Sequence, residues 1–137
     1  GNGISGVAAA AATQAQQETG TATTVYVSPG RQHFNPLHPK TWGYATMSGG
    51  TPTLAASANV TDITDTGTGR LTFNIATDMS SANFAVLAVM RMTPGNPRHH
   101  QVASQGVGTV EVDVWTTADV ASDDYLGISF VALGDQA

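Results

Sequence analysis

Cysteine is absent from this 137-residue chain, which removes disulfide staples and thiolate metal sites together. Charge is scarce as well: Asp, Glu, Lys and Arg make up 11% of the residues. The five basic side chains, Arg31, Lys40, Arg70, Arg91 and Arg98, are scattered, and the formal net charge is -5. Such a chain cannot neutralise a phosphate track, so no nucleic-acid partner is expected. Long apolar runs are missing too. The stretch from Ile4 to Ala12 is mildly apolar, has no basic leader and is far too short to span a bilayer. No membrane insertion is expected.

Catalytic equipment is equally thin. Glu18 and Glu111 are the only glutamates, one on a helical segment and one on a strand. Neither Gly-x-Ser-x-Gly nor His-Glu-x-x-His occurs, and nothing localises two carboxylates to one cleft. The chain is therefore expected not to be an enzyme, with no catalytic residue and no cofactor assigned.

What is present is a foldable composition. Apolar residues reach 41%, well away from the highly charged, weakly apolar profile of disordered chains. A surface so poor in charge must be coated with hydroxyls and amides, or partly covered by other chains.

Three segments follow one another. In 1–24, "GVAAAAATQAQQETG" joins helix formers to Gly20, the expected C-terminal cap, with Ser5 as N-cap. The helix would be about a dozen residues long, marginal in isolation, with an alanine face suited to close approach around an oligomer axis. A frayed N-terminal extension is the plainer reading. In 25–40, Pro29, Pro36 and Pro39 break regular pairing and mark an extended connector after a short strand at Thr23–Val27. Phe34 and Leu37 suggest that this connector lies on a surface.

From residue 41 to 137 the text is strand after strand. Leu71, Phe73 and Ile75 alternate with Thr72, Asn74 and Ala76, Val110, Val112 and Val114 with Glu111, Asp113 and Trp115, and Ile128, Phe130 and Ala132 recur at the same period. Period two marks half-buried antiparallel strands. Turn clusters punctuate them: "SGGTP", "DTGTG", "TPGNP", "SQGVG" and "ASDD". The fold class is all-β, an antiparallel sandwich preceded by a short helix and a proline-rich connector. "FAVLAVM" (Phe84–Met90) lacks alternation and is expected to be the most buried, central strand. Gly67 and Gly69 supply the positive φ of a tight hairpin. They do not form a phosphate loop, since neither a helix nor a lysine follows.

The ordered pieces Asn59-Val60, Ile63-Thr64-Asp65, Gly67-Thr68-Gly69, Leu71 to Ile75, Met79 and Ala82 to Val86 resemble a module of tailed-bacteriophage tail fibres and related virion appendages. Upstream, "AATQAQQETGTATTVYVSPGRQ" looks like the collar motif preceding distal fibre domains, and "HPKTWGY" fills the place of a Lys-Ala-Trp strand. The resemblance covers most of residues 10–90. "RMTPGNPRHHQVASQGVG" (Arg91–Gly108) has no counterpart, and "ATMSGG" replaces the family's Asn-Phe-Asn-Gly stretch. The resemblance implies a non-enzymatic homotrimer in the virion, contacting other virion proteins. Its work would be host attachment, through cell-surface glycan, or purely structural, as in a head fibre, spike or connector. A third class, the carbohydrate-binding module of a bacterial enzyme, would be a monomer beside a catalytic domain.

Candidate contact residues cluster late in the chain. The loop Met92–Gln101 contains two prolines and a glycine and is expected to project rather than pair. Its Arg98, His99, His100 and Gln101, with Trp115 as stacking partner, form the expected receptor-binding surface. Trp115 lies opposite Val110, Val112 and Val114, hence outside the core or in a subunit contact. His99 and His100 face opposite ways on a strand and cannot share a metal within one chain. One histidine from each of three chains could converge on an ion, but solvated loop histidines are the simpler reading. His33 and His38, split by Pro36, make no ligand pair. Asp62, Asp65, Asp119, Asp123 and Asp124 match no calcium loop and read as turn formers. No metal site is assigned.

Overall fold

The computed structural model describes residues 10–29, 32, 35 and 37–137. One short helix, α1 (Gln14–Thr19), precedes eight strands. These are β1 (Pro39–Ser48), β2 (Thr51–Ala58), β3 (Val60–Gly67), β4 (Arg70–Ile75), β5 (Ala85–Arg91), β6 (Arg98–Gly106), β7 (Thr109–Thr116) and β8 (Gly127–Leu133). They pair antiparallel in two four-stranded sheets, ordered β2-β1-β8-β5 and β3-β4-β7-β6. The chain is an all-β sandwich.

Alternation builds its interior. Leu71, Phe73 and Ile75 of β4, Val110, Val112 and Val114 of β7, and Ile128, Phe130 and Ala132 of β8 are all buried. The two sheets meet at Phe73 and Phe130, whose ring centroids lie 4.5 Å apart at 44°. Gly43 of β1 sits against both rings: a Cβ there would stand 3.0 Å from each. The pair of phenylalanines thus fills the space that a larger side chain on β1 would need.

Asn59 alone separates β2 from β3 and turns the chain from one sheet to the other. Its φ is 56°, a left-handed conformation that asparagine tolerates better than most residues. Its amide nitrogen donates to the Lys40 carbonyl at 3.3 Å and the Thr77 carbonyl at 3.1 Å. Its Oδ1 accepts from the Thr77 backbone N–H at 2.7 Å. The β3–β4 hairpin turns as expected, with φ 133° at Gly67 and 70° at Gly69. Gly69 is further fixed by close approach, since a Cβ would lie 2.5 Å from the Val114 carbonyl oxygen.

Four expectations need correction. First, the helix is shorter and starts at a Thr13 cap, in a capping box with Gln16, and not near residue 5. Ala10 and Ala12 instead make backbone bonds with Tyr26, which hold Ala10 to Ala12 in extended chain. Ser5 lies outside the described residues, and the described helix carries no alanine face, only exposed Ala15. Gly20 does cap the helix, at φ 63°. Second, Thr23–Val27 contributes one bridge at Tyr26 rather than a strand, and β1 begins at Pro39, inside the expected connector. Phe34 and His33 lie outside the described residues, while Leu37 is exposed.

Third, "FAVLAVM" is not central. β5 is an edge strand, with Val86, Ala88 and Met90 against the core and Ala85, Leu87 and Val89 facing out. Leu87 is 63% and Val89 56% exposed. Alternation in burial exists there, but both faces were written in apolar residues. Fourth, Met92–Gln101 is only partly a loop, because Arg98 to Gln101 pair with β7. Pro94 and Pro97 end just before the strand, and the backbone N–H groups from Arg98 onward are free to join the ladder.

Candidate functional site

The outer face of the β3-β4-β7-β6 sheet carries the side chains that the alternation turns away from the core. Registration opposes Trp115 to His99, Asp113 to Gln101, and Glu111 to Ser104 between β7 and β6. Across the other side of β7, Arg70 faces Asp113 and Thr72 faces Glu111. Asn74 and Asp62 continue the row onto β3. The result is a flat polar surface with one indole near its end.

Hydrogen bonds order this surface. Asn74 donates to the Thr64 hydroxyl at 2.9 Å and also to the Asp62 carboxylate. The Thr72 hydroxyl donates to Glu111 at 3.4 Å. Asp113 is the exception. It is only 3% exposed, and its buried Oδ1 accepts no hydrogen bond. It forms an ion pair with the Arg70 guanidinium, with Nε at 3.5 Å. Burial pushes the Asp113 carboxyl up from the usual carboxylate range, against the pull of Arg70 and with a smaller push from Glu111. Asp113 thus lies beneath the face, and Arg70, His99, Gln101 and Trp115 are the side chains presented around it.

Of the expected contact residues, His99, Gln101 and Trp115 share this face, whereas Arg98 and His100 point the other way. Arg98 is nearly enclosed. It donates to Ser122 Oγ at 3.1 Å, Asn96 Oδ1 at 2.8 Å and the Pro97 carbonyl at 3.0 Å, and pairs with Asp124 at 2.7 Å. It ties the 92–97 loop to the 122–124 segment. The His100 ring Nε2 lies 3.1 Å from the Ala88 carbonyl oxygen on the opposite sheet. Alternation along β6 was the signal for this division, and the same rule marks Arg70, Thr72, Glu111 and Asp113, which sequence reasoning left out.

Other candidates resolve differently. Asp65 accepts from the Gly67 N–H, and Asp123 from the Gly69 N–H at 2.6 Å, so both serve turns. Among the described residues no three His, Asp or Glu side chains converge to hold a metal ion. Tyr125 is buried, and burial, with Asp123 and Asp65, raises its phenol above the ordinary range. A cavity of about 520 Å³ beside α1 is lined by Gln16, Gln17, Gln32, Asn35 and His38, far in sequence from Trp115. Among the described residues no helix is long and apolar enough to cross a membrane. Comparison with protein-family models, with curated proteins and with solved structures gives no match to this chain.

Proposed function

We propose that this chain is a fibre-type distal domain of a phage virion. It acts as a homotrimer and attaches to host-surface glycan without catalysis. The observation that carries this reading is the grouping of Trp115, His99, Gln101, Asp113 and Arg70 on one rigid sheet face. An indole gives the C–H face of a sugar ring an apolar plane to stack on, while the amide and guanidinium match its hydroxyls. Single contacts of this kind are weak, and three copies would multiply them through effective concentration. The order of fibre-like segments between residues 10 and 90 supports the virion assignment.

The test replaces Trp115 and Gln101 together with Ala and measures adsorption to host cells. Adsorption should fall at least tenfold, with solution mass and melting temperature held. Unchanged adsorption would remove the attachment role. A structural virion component, without receptor contact, is the rival. One observation favours it: Arg98 and His100 are spent on internal bonds, which leaves β6 fewer free donors.

A further inference from the structure

The opposite sheet presents a different surface. Two cross-strand rows run over its outer face: Ala58, Trp42, Val131 and Leu87, then Ala56, Tyr44, Ser129 and Val89. Trp42 is 41% exposed, and Leu87 and Val89 more so. Strands β1, β2, β5 and β8 contain no carboxylate, and Lys40 and Arg91 are their only charges. Lys40 is buried, and Arg91 stands at the end of β5. An uncharged apolar sheet face of this extent marks an interaction surface.

We propose that this face is where copies of the chain meet, packed around the assembly axis. It rests on the trimer reading above for the number of copies, and on the charge distribution for their identity. All of the acidic residues lie outside the four strands. Two copies of a chain with net charge -5 can therefore meet here without opposing carboxylates, whereas contact through the other sheet would bring Asp62 and Glu111 of neighbouring copies together. The face spans roughly 19 Å across four strands and roughly 23 Å along seven residues. That footprint of about 440 Å² is over half the ~800 Å² that each partner gives to a standard interface, before side-chain relief adds area.

Edge protection points the same way. β2 carries Pro52, β3 carries Asp62 and Asp65, and β6 carries Arg98 and a bulge near Val102. β5 carries no charge before Arg91, and its edge is met by His100 of β6 at the Ala88 carbonyl. An exposed apolar strand still invites indiscriminate association, and a symmetric partner that covers Leu87 and Val89 removes that hazard.

The experiment uses the full chain and light scattering at micromolar concentration. The parent should have about three times the 14.0 kDa chain mass, and Leu87→Lys with Val89→Lys should fall to the single-chain mass with its β-sheet circular dichroism retained. Ser129→Lys, exposed at the centre of the face, is the second variant and should also dissociate. A monomeric parent, or folded lysine variants that keep the parent mass, would overturn the proposal. Because mass and adsorption are read separately, loss of this interface is distinguishable from loss of the glycan contact. A Trp115 variant changes only adsorption.

Discussion

His100 and Ala88 join two strands that share no ladder. The imidazole Nε2 of β6 meets the backbone carbonyl oxygen of β5 at 3.1 Å, across the open side of the sandwich. Gln105, further along β6, donates to the carbonyls of Ala82 at 2.6 Å and Phe84 at 3.0 Å. Side chains of one edge thus stand in for the missing strand of the other.

That arrangement predicts graded effects. His100→Ala should lower stability by about 1 kcal/mol, and Gln105→Ala by about 1–2 kcal/mol, since it leaves two acceptors unpaired. Urea denaturation reads the loss, and amide exchange in β5 should quicken. Unaltered midpoints in both variants would mean that the edge is held by packing alone.

Gly43→Ala tests the fit between the sheets. Its Cβ would press on Phe73 and Phe130 at 3.0 Å, and overpacking a filled core costs about 1–3 kcal/mol. A variant as stable as the parent would show that the two rings yield without strain.

Asn59 separates backbone strain from hydrogen bonding. Asn59→Gly loses the bonds to Lys40 and Thr77 but keeps the left-handed backbone at little steric cost. Asn59→Ala loses the same bonds and adds strain of about 1–2 kcal/mol. Thermal melts should therefore rank parent, Gly, Ala. Equal melting of the two variants would assign the whole effect to the amide.

Asp113 carries a pH signature. Its carboxyl titrates above the usual range because it is buried, so the folded chain holds the proton more tightly than the unfolded one. Stability then falls as pH rises from the ordinary carboxylate pKa through the raised one. Asp113→Asn should melt higher than the parent near neutral pH, with the advantage shrinking towards about pH 3, where the parent is protonated. A lower neutral-pH melting temperature would show that attraction to Arg70 outweighs burial.

Alternation made the core legible: Phe73 and Val112 stand between polar neighbours, and both are inside. The same rule failed at β5, where Leu87 and Val89 are as apolar as Val86 and Met90. Composition there does not say which of the two faces the core covers. The helix start was misread because helix propensity favoured the alanines, while long-range bonds from Ala10 and Ala12 to Tyr26 won. Asp113 was not legible as a buried group, since burial on an outer face depends on register with Arg70 and Gln101, which lie on other strands.

Each sheet is completed from its middle by a late strand. β7 lies between β4 and β6, and β8 between β1 and β5. During synthesis, the hairpins β1–β2 and β3–β4 leave the ribosome long before their neighbours exist, and lone hairpins are marginally stable in water. β5 and β6 emerge with no sheet to join. The β3-β4-β7-β6 layer can pair once β7 is made, but its apolar face stays uncovered until β8 completes the other layer. A translation stall anywhere before residue 127 leaves a client for chaperones, with Leu71, Phe73 and Val112 still uncovered.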